Sequence, residues 1–217
     1  MKSFAIIGLG NFGIALALTL AENEHQVLVI DEDSEKVEEI SDYVTNAVIG
    51  DSTDRNVLEA AGITDYDCAV VAISNNMECS ILTTLLLGDM GIKEVVARAV
   101  SNNHAKVLER VGANLVVFPE RDMGEKLALK LCKRNVLEYI EFSEDYSIVE
   151  VKTPIKWIGK TLRELDVRNK YKINVIAIIK EQPAHKIDIN PDPDMVLEAT
   201  DTVAMIGINS ALDKVNN

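Results

Sequence analysis

Lys2-Ser3-Phe4-Ala5-Ile6-Ile7-Gly8-Leu9-Gly10-Asn11-Phe12-Gly13 opens a stretch that continues through Ile14 to Asn23 and ends in Gln26-Val27-Leu28-Val29-Ile30-Asp31. An apolar run enters a G-x-G-x-x-G, a helix-patterned segment follows, and a second apolar run ends in an acid. Each part suits the holding of a nucleotide. Gly8 permits a tight turn out of the strand, Gly10 lets a phosphate approach the backbone, and Gly13 lets the helix lie close to the strand. Free N–H groups and the positive dipole end at the helix start favour a phosphate near residues 10–13. Asp31 stands 31 − 13 = 18 residues past the last glycine, where an acid accepts hydrogen bonds from ribose hydroxyls. The glycines alone would also describe an ordinary turn with nothing bound. The strand before them, the helix after them and the acid point to a nucleotide site.

Outward from this stretch the pattern repeats. Asp33-Ser34-Glu35 begins a helix with Val37 and Ile40 on its apolar side, and Ala47-Val48-Ile49 is a third strand ending at Gly50-Asp51. Asp54 to Ala61 is a short helix. Ala69 to Ile73 is a strand apolar throughout, as a parallel strand covered on both faces must be. Met77 to Met90 is a Leu-rich helix whose Leu82, Leu85, Leu86 and Leu87 read as core, with some at an assembly interface. Glu94 to Ala99 is a strand, Asn103 to Val111 a helix, and Leu115 to Phe118 a sixth strand stopped by Pro119. Six alternations with short connections predict an α/β Rossmann-type doubly wound parallel sheet of order 3-2-1-4-5-6. Its ligand crevice lies at the strand C-termini where the order reverses. Glu120 to Leu131 is one further helix, with Met123, Leu127 and Leu131 on one stripe.

The style then changes. The mixed, acidic segment from Asn135 to Glu144 marks a boundary, giving domains 1–134 and 135–217. Strand candidates at Ser147 to Lys152, Ile173 to Lys180 and Thr202 to Ile208, a short helix at Thr161 to Val167, a turn at residues 190–194 and a closing helix at Ser210 to Val215 predict a small α+β domain.

The 217 residues are 47% hydrophobic but only 5% aromatic, so the core is aliphatic, and the formal net charge is −13. Such an acidic chain is not built to track nucleic acid. Cys68, Cys79 and Cys132 are scattered without a C-x-x-C, which suggests reduced thiols in a cytosolic protein, Cys68 being a small core residue. No signal segment opens the chain and no apolar run approaches a membrane span. Catalytic patterns are absent. No Tyr is followed four residues later by Lys, there is no G-x-x-x-x-G-K-[ST], and His25, His104 and His185 are scattered. His25 reads as a surface turn residue. His104, near a helix start, reads as a solvated helix residue or a site residue.

With Gly8–Gly13 and Asp31, the runs Gly50-Asp51-Ser52-Thr53-Asp54, Ala60/Gly62-Ile63, Arg98, Val107-Leu108-Glu109-Arg110-Val111-Gly112-Ala113 and Pro119-Glu120-Arg121-Asp122-Met123-Gly124 resemble the RCK/KTN family. Leu165-Asp166-Val167-Arg168, Tyr171 and Asn174 to Ile178 resemble that family's C-terminal domain. The resemblance implies a non-enzymatic regulatory subunit beneath a membrane potassium-translocating subunit of the KtrB/KtrD or TrkH type. It would be cytoplasmic, peripheral to the membrane through that partner, and a homodimer assembling to a homo-octameric ring. ATP, ADP or NAD(H) would change the ring's shape and gate the pore. Carried over, Gly8, Gly10, Asn11, Phe12 and Gly13 would cradle the phosphates and Asp31 the ribose. Asp51, Ser52, Ile73 and Ser74 would line the adenosine pocket, and Arg98 would bring charge to the phosphates. Position 11 is often Arg in the family. Asn11 brings no charge, which puts strong discrimination of ATP over ADP in doubt. Glu120 matches a position that binds Mg2+ or Ca2+ between the two nucleotides of a dimer, and also suits the first turn of a helix. Leu162, Arg168, Asn174, Val175 and Pro191 match a cyclic di-AMP site at a two-fold interface. Read locally, Arg168 caps a helix end and Asn174 begins a strand. An NAD-dependent oxidoreductase with a small substrate domain is the alternative function.

Overall fold

The computed structural model describes residues 1–132, 136–143, 145–180 and 186–216. The chain divides into two compact units, Met1–Arg121 and Asp122–Asn217, and passes from one to the other within helix α6 (Pro119–Cys132). The boundary expected after residue 134 falls at residues 133–135, outside the described residues, as do Glu144 and His185.

In the first unit six parallel strands stand in the order β3-β2-β1-β4-β5-β6, as the alternation predicts. They are β1 (Ser3–Ile7), β2 (Gln26–Asp31), β3 (Asn46–Ile49), β4 (Cys68–Val71), β5 (Val95–Arg98) and β6 (Leu115–Val117). Alternate residues of the central strands enter two different cores. Ala5, Ile7, Leu28, Ile30, Ala69 and Val71 pack on one face with Leu87 of α4 (Met77–Asp89) and Leu108 of α5 (Asn102–Arg110). Ile6, Val27, Val29, Cys68 and Val70 pack on the other with Ala17 of α1 (Asn11–Glu22) and with Val37 and Ile40 of α2 (Ser34–Ser41). A strand buried on both faces must be apolar at every position, which is why these strands read as continuous runs. Helix α3 (Arg55–Ala60) begins at Asp54, whose side chain accepts from the N–H of Asn56, and it buries Leu58.

The buried face of α4 departs from expectation. Leu87 is fully buried and Leu86 packs against the core, but Leu82 and Leu85 are 41% and 38% exposed. Ser80, Thr83 and Thr84 take the sheet side instead. Their positions 80, 83, 84 and 87 make one stripe at helical spacing. The Thr84 hydroxyl donates to the Ser80 carbonyl at 2.7 Å, and the Ser52 and Thr83 hydroxyls share a hydrogen bond of 2.8 Å. Met123, Leu127 and Leu131 of α6 are exposed. His104 is buried, not solvated: it is 2% exposed and burial lowers its pKa.

The second unit is an antiparallel sheet of order β10-β9-β11-β8-β7. Its strands are β7 (Val136–Glu141), β8 (Tyr146–Lys152), β9 (Ile173–Lys180), β10 (Lys186–Asp188) and β11 (Thr202–Ile208). The α+β expectation holds, but β7 and β10, at the sheet's two edges, are new. The expected single helix is two, α7 (Leu162–Leu165) and α8 (Val167–Tyr171), because Asp166 between them adopts φ 46°. Thr161 and Glu164 cap α7 reciprocally. Helix α9 (Asn209–Asn216) closes the chain, and Trp157, Leu197 and Val203 are buried in the unit's core. The 1%-exposed carboxylate of Asp201 is held by Lys180 Nζ and by the Glu198 N–H, each at 2.9 Å.

Helix α1 lies over the end of β1 because position 13 carries no side chain: a Cβ there would stand 2.0 Å from the Gly8 carbonyl oxygen. Gly13→Ala must therefore push α1 off the strand. Overpacking of this kind costs about 1–3 kcal/mol, and chemical denaturation of the variant should show a loss of that size or more.

Candidate functional site

At the C-terminal ends of β1, β2 and β4, where the strand order reverses, lies a crevice of about 590 Å3. That is the size of a small-molecule site and the position expected of a doubly wound sheet. Gly8 turns the chain out of β1 with φ +98°, a conformation other residues rarely adopt. Its N–H continues the sheet by donating to Ile30 O at 2.9 Å.

Asp31, at the end of β2, clamps the turn. One carboxylate oxygen accepts the N–H of Leu9 and the other the N–H of Asp33, at 2.9 Å. The residue that suits a ribose thus also ties the glycine loop to the neighbouring strand. Each carboxylate oxygen keeps a lone pair beyond these bonds. Asp51 is fixed by the N–H and hydroxyl of Thr53 at 2.8 and 2.7 Å, the hydroxyl contributing most to holding its pKa low.

Of the residues expected from sequence, Gly8, Gly10, Asp31, Asp51, Ser52, Ile73 and Ser74 line this crevice together. Asn11, Phe12 and Gly13 do not. Asn11 is exposed at the start of α1, Gly13 is buried beneath it, and Phe12 packs against the core on the α1 side. Arg98 does not line the crevice either. Its guanidinium pairs with Glu120 through Nη2 and Nε, and Nη1 lies 3.5 Å from the carbonyl oxygen of Ala72, itself a lining residue. Two residues given separate tasks by the sequence reading are thus each other's partners. Among the described residues no three His, Cys, Asp or Glu gather as a metal site.

The sequence reading missed Glu32, Asp33, Lys36, Asn76 and Cys79, which also line the crevice. Lys36 carries the signal that could have shown it, a cation in the first turn of the helix that follows Asp31. Its ammonium pairs with Asp33 at 2.9 Å. Burial, then the charges of Asp51, Glu32 and Glu78, push the Cys79 thiol up, away from the reactive thiolate.

A second cavity, of about 320 Å3, lies in the second unit. Leu162, Arg168, Asn174 and Val175 line it as a group. Pro191 is not among the lining residues; Pro193 takes that place. Arg163, also at the cavity, is held by both carboxylate oxygens of Asp194, at 2.6 and 3.0 Å.

Residues 4–119 match the TrkA-N domain and residues 146–217 the TrkA-C domain. The chain is 40% identical to Ktr system potassium uptake protein C of Bacillus subtilis (strain 168), over 95% of this chain and 92% of that one. It is 38% identical to Ktr system potassium uptake protein A of the same organism, over 100% and 96%. Among solved structures, the GsuK bound to ADP is 29% identical with a TM-score of 0.52, over 60% of this chain and 34% of that one. Doubly wound first unit, glycine turn with its acid, and both domain matches agree: the chain belongs to the RCK family, with the TrkA-N and TrkA-C domains of the Ktr potassium uptake proteins.

Proposed function

We propose that this chain is a cytosolic, nucleotide-sensing regulatory subunit that gates a membrane potassium-translocating partner, and that it is not an enzyme. The observation that carries the reading is the crevice at the strand-order reversal, where the glycine turn, Asp31 and the adenosine-side residues Asp51, Ser52, Ile73 and Ser74 converge. The relatives are potassium uptake proteins, and the GsuK structure of similar fold is bound to ADP. Among the described residues no helix is long and apolar enough to cross a membrane. On this reading a partner provides the pore, and the exposed Leu82 and Leu85 serve contacts between subunits of a dimer or larger ring.

Binding of ADP, ATP or NAD(H) at the crevice brings phosphates toward the Gly10 backbone and the start of α1. A phosphate there competes with Glu120 for Arg98, since guanidinium pairs with phosphate in the same two-pronged way as with carboxylate. Glu120, once released, offers its carboxylate to Mg2+ or Ca2+, with phosphate oxygens and a second subunit completing the shell. In the second unit, Arg168 and Asn174 offer charge and hydrogen bonds to cyclic di-AMP, with Leu162, Val175 and Pro193 as apolar wall.

The decisive experiment is native mass spectrometry of the purified chain with ADP, ATP and NAD(H), run beside a turnover assay with NAD(H) and a substrate panel. An oligomer carrying intact nucleotide without turnover supports the reading. A monomer, or catalytic turnover of NAD(H), overturns it in favour of an oxidoreductase.

Three outcomes follow from the geometry. Asp31→Asn leaves only one acceptor oxygen where two N–H groups and a ribose compete, so calorimetry should show ADP binding weakened at least tenfold, about 1.4 kcal/mol. In Glu120→Gln the affinity for ADP should lose its dependence on Mg2+ or Ca2+, read by titration with and without a chelator. Cyclic di-AMP should bind the full chain at one molecule per two chains, and Arg168→Ala should abolish that binding while the oligomer persists in light scattering.

A further inference from the structure

The ribose end of the crevice has an unusual charge arrangement. Asp31, Glu32, Asp33 and Asp51 line it, and Lys36 is the one cation among the described lining residues. Lys36 stands in the first turn of α2, one turn from the acid expected to hold the ribose, and is less than half exposed. In doubly wound folds a cation near this point accommodates a ribose 2′-phosphate, and an acid at the strand end selects the free 2′-hydroxyl. This chain holds both, and the cation is paired.

Asp33 divides its carboxylate between two tasks. Oδ1 accepts the N–H of Glu35 at 3.1 Å and caps α2, and Oδ2 holds Lys36 Nζ at 2.9 Å. Each member of the pair steadies the charge of the other: the hydrogen bond from Lys36 is the largest influence lowering Asp33, and that from Asp33 the largest raising Lys36. Asp31 and Glu32 act on Lys36 only through space, with smaller effect than Asp33. Both oxygens of Asp31 are already engaged by backbone N–H groups.

Resting on the reading of this crevice as an adenine nucleotide site, we propose that Asp33 is a specificity-determining residue: by pairing with Lys36 it withholds the crevice's cation from a ribose 2′-phosphate. Selection against 2′-phosphorylated nucleotides then has two parts. Asp31 repels the added phosphate, and Asp33 occupies the cation that would otherwise offset that repulsion.

The pair can be opened without losing the helix cap, because asparagine caps a helix as well as aspartate does. The test is calorimetric titration of the full chain with AMP and with adenosine 2′,5′-bisphosphate, in the parent and in three variants. In the parent AMP binds more tightly than the bisphosphate by tenfold or more. D33N frees Lys36 and narrows that ratio by about tenfold. Glu32→Gln removes an equal charge from the same rim but frees no cation, so it narrows the ratio far less. In the double variant D33N/K36M the gain disappears. If D33N does not fold, as judged by its melting curve, Asp33→Ser serves in its place, since serine also caps. A parent that binds AMP, with a ratio unmoved by D33N or moved as much by Glu32→Gln, overturns the proposal and leaves the nucleotide site standing. A parent that binds neither compound overturns the nucleotide reading and this proposal with it.

Discussion

The close approach of α1 to the end of β1 is the contact on which the first unit depends. Gly13 sits where even a methyl group would overlap the Gly8 carbonyl, and Gly8 itself needs a positive φ. Once those conditions are met, Gly10 lines the crevice, and nothing lies within 4 Å of a Cβ built there. Asp31 then locks the turn by accepting the Leu9 N–H from the adjacent strand. On the proposed reading, phosphate cradle, ribose acceptor and core packing are therefore one construction. A substitution that loosens any of the three loosens the others, so stability and ligand binding in this unit are not separable by mutation at Gly8, Gly13 or Asp31.

The electrostatics of the same site follow a different logic. The chain carries a net charge of −13, and the crevice lining is mostly acidic. On the proposed reading, an anion is drawn in by backbone N–H groups and the α1 dipole rather than by a field of lysines. Among the described residues the crevice's lining cation, Lys36, is paired with Asp33, and nearby Arg98 with Glu120. Such a site gives little attraction at a distance. It rewards a ligand only when that ligand fits closely enough to engage the backbone donors or exchange one of these pairs, which favours selectivity over raw affinity.

How much of this could be read in the amino-acid sequence depends on whether the signal is local. The central parallel strands β1, β2 and β4 are legible because burial on both faces forces unbroken apolar runs, and the crevice is legible because Gly8, Gly10, Gly13 and Asp31 have fixed spacings. β7 escaped notice because Val136-Leu137-Glu138-Tyr139-Ile140-Glu141 mixes acids with apolar residues without the strict alternation that marks a half-buried strand. β10 has only three residues. The leucines of α4 misled for a different reason. Thr83 and Thr84 satisfy their hydroxyls inside the packed layer and Ser80 is buried beside them, so the buried face is less apolar in sequence than the exposed one. Lys36 and Asp33 are local but compete for the reader's attention with Asp31. The Arg98–Glu120 pair joins residues 22 positions apart and needs the β5–β6 pairing, Arg98 beside Val117, to become visible.

That pair is better suited to being exchanged than to holding the fold. The Glu120 side chain is 64% exposed and the Arg98 side chain 11%. Water reaches the pair from the Glu120 side, so an incoming anion can take the place of Glu120 without leaving the largely buried Arg98 unpaired. Yet Arg98 ends β5 against the carbonyl of the crevice residue Ala72, and Glu120 is in the first turn of α6, the helix through which the chain leaves the first unit. A ligand shifts a conformational equilibrium only by its differential affinity for the two states. On the proposed reading, a phosphate that takes Arg98 from Glu120 binds better to the state in which the start of α6 is free. On that reading the open side of the pair is what makes it useful: Arg98 exchanges one anionic partner for another, and the start of α6 is held or released accordingly.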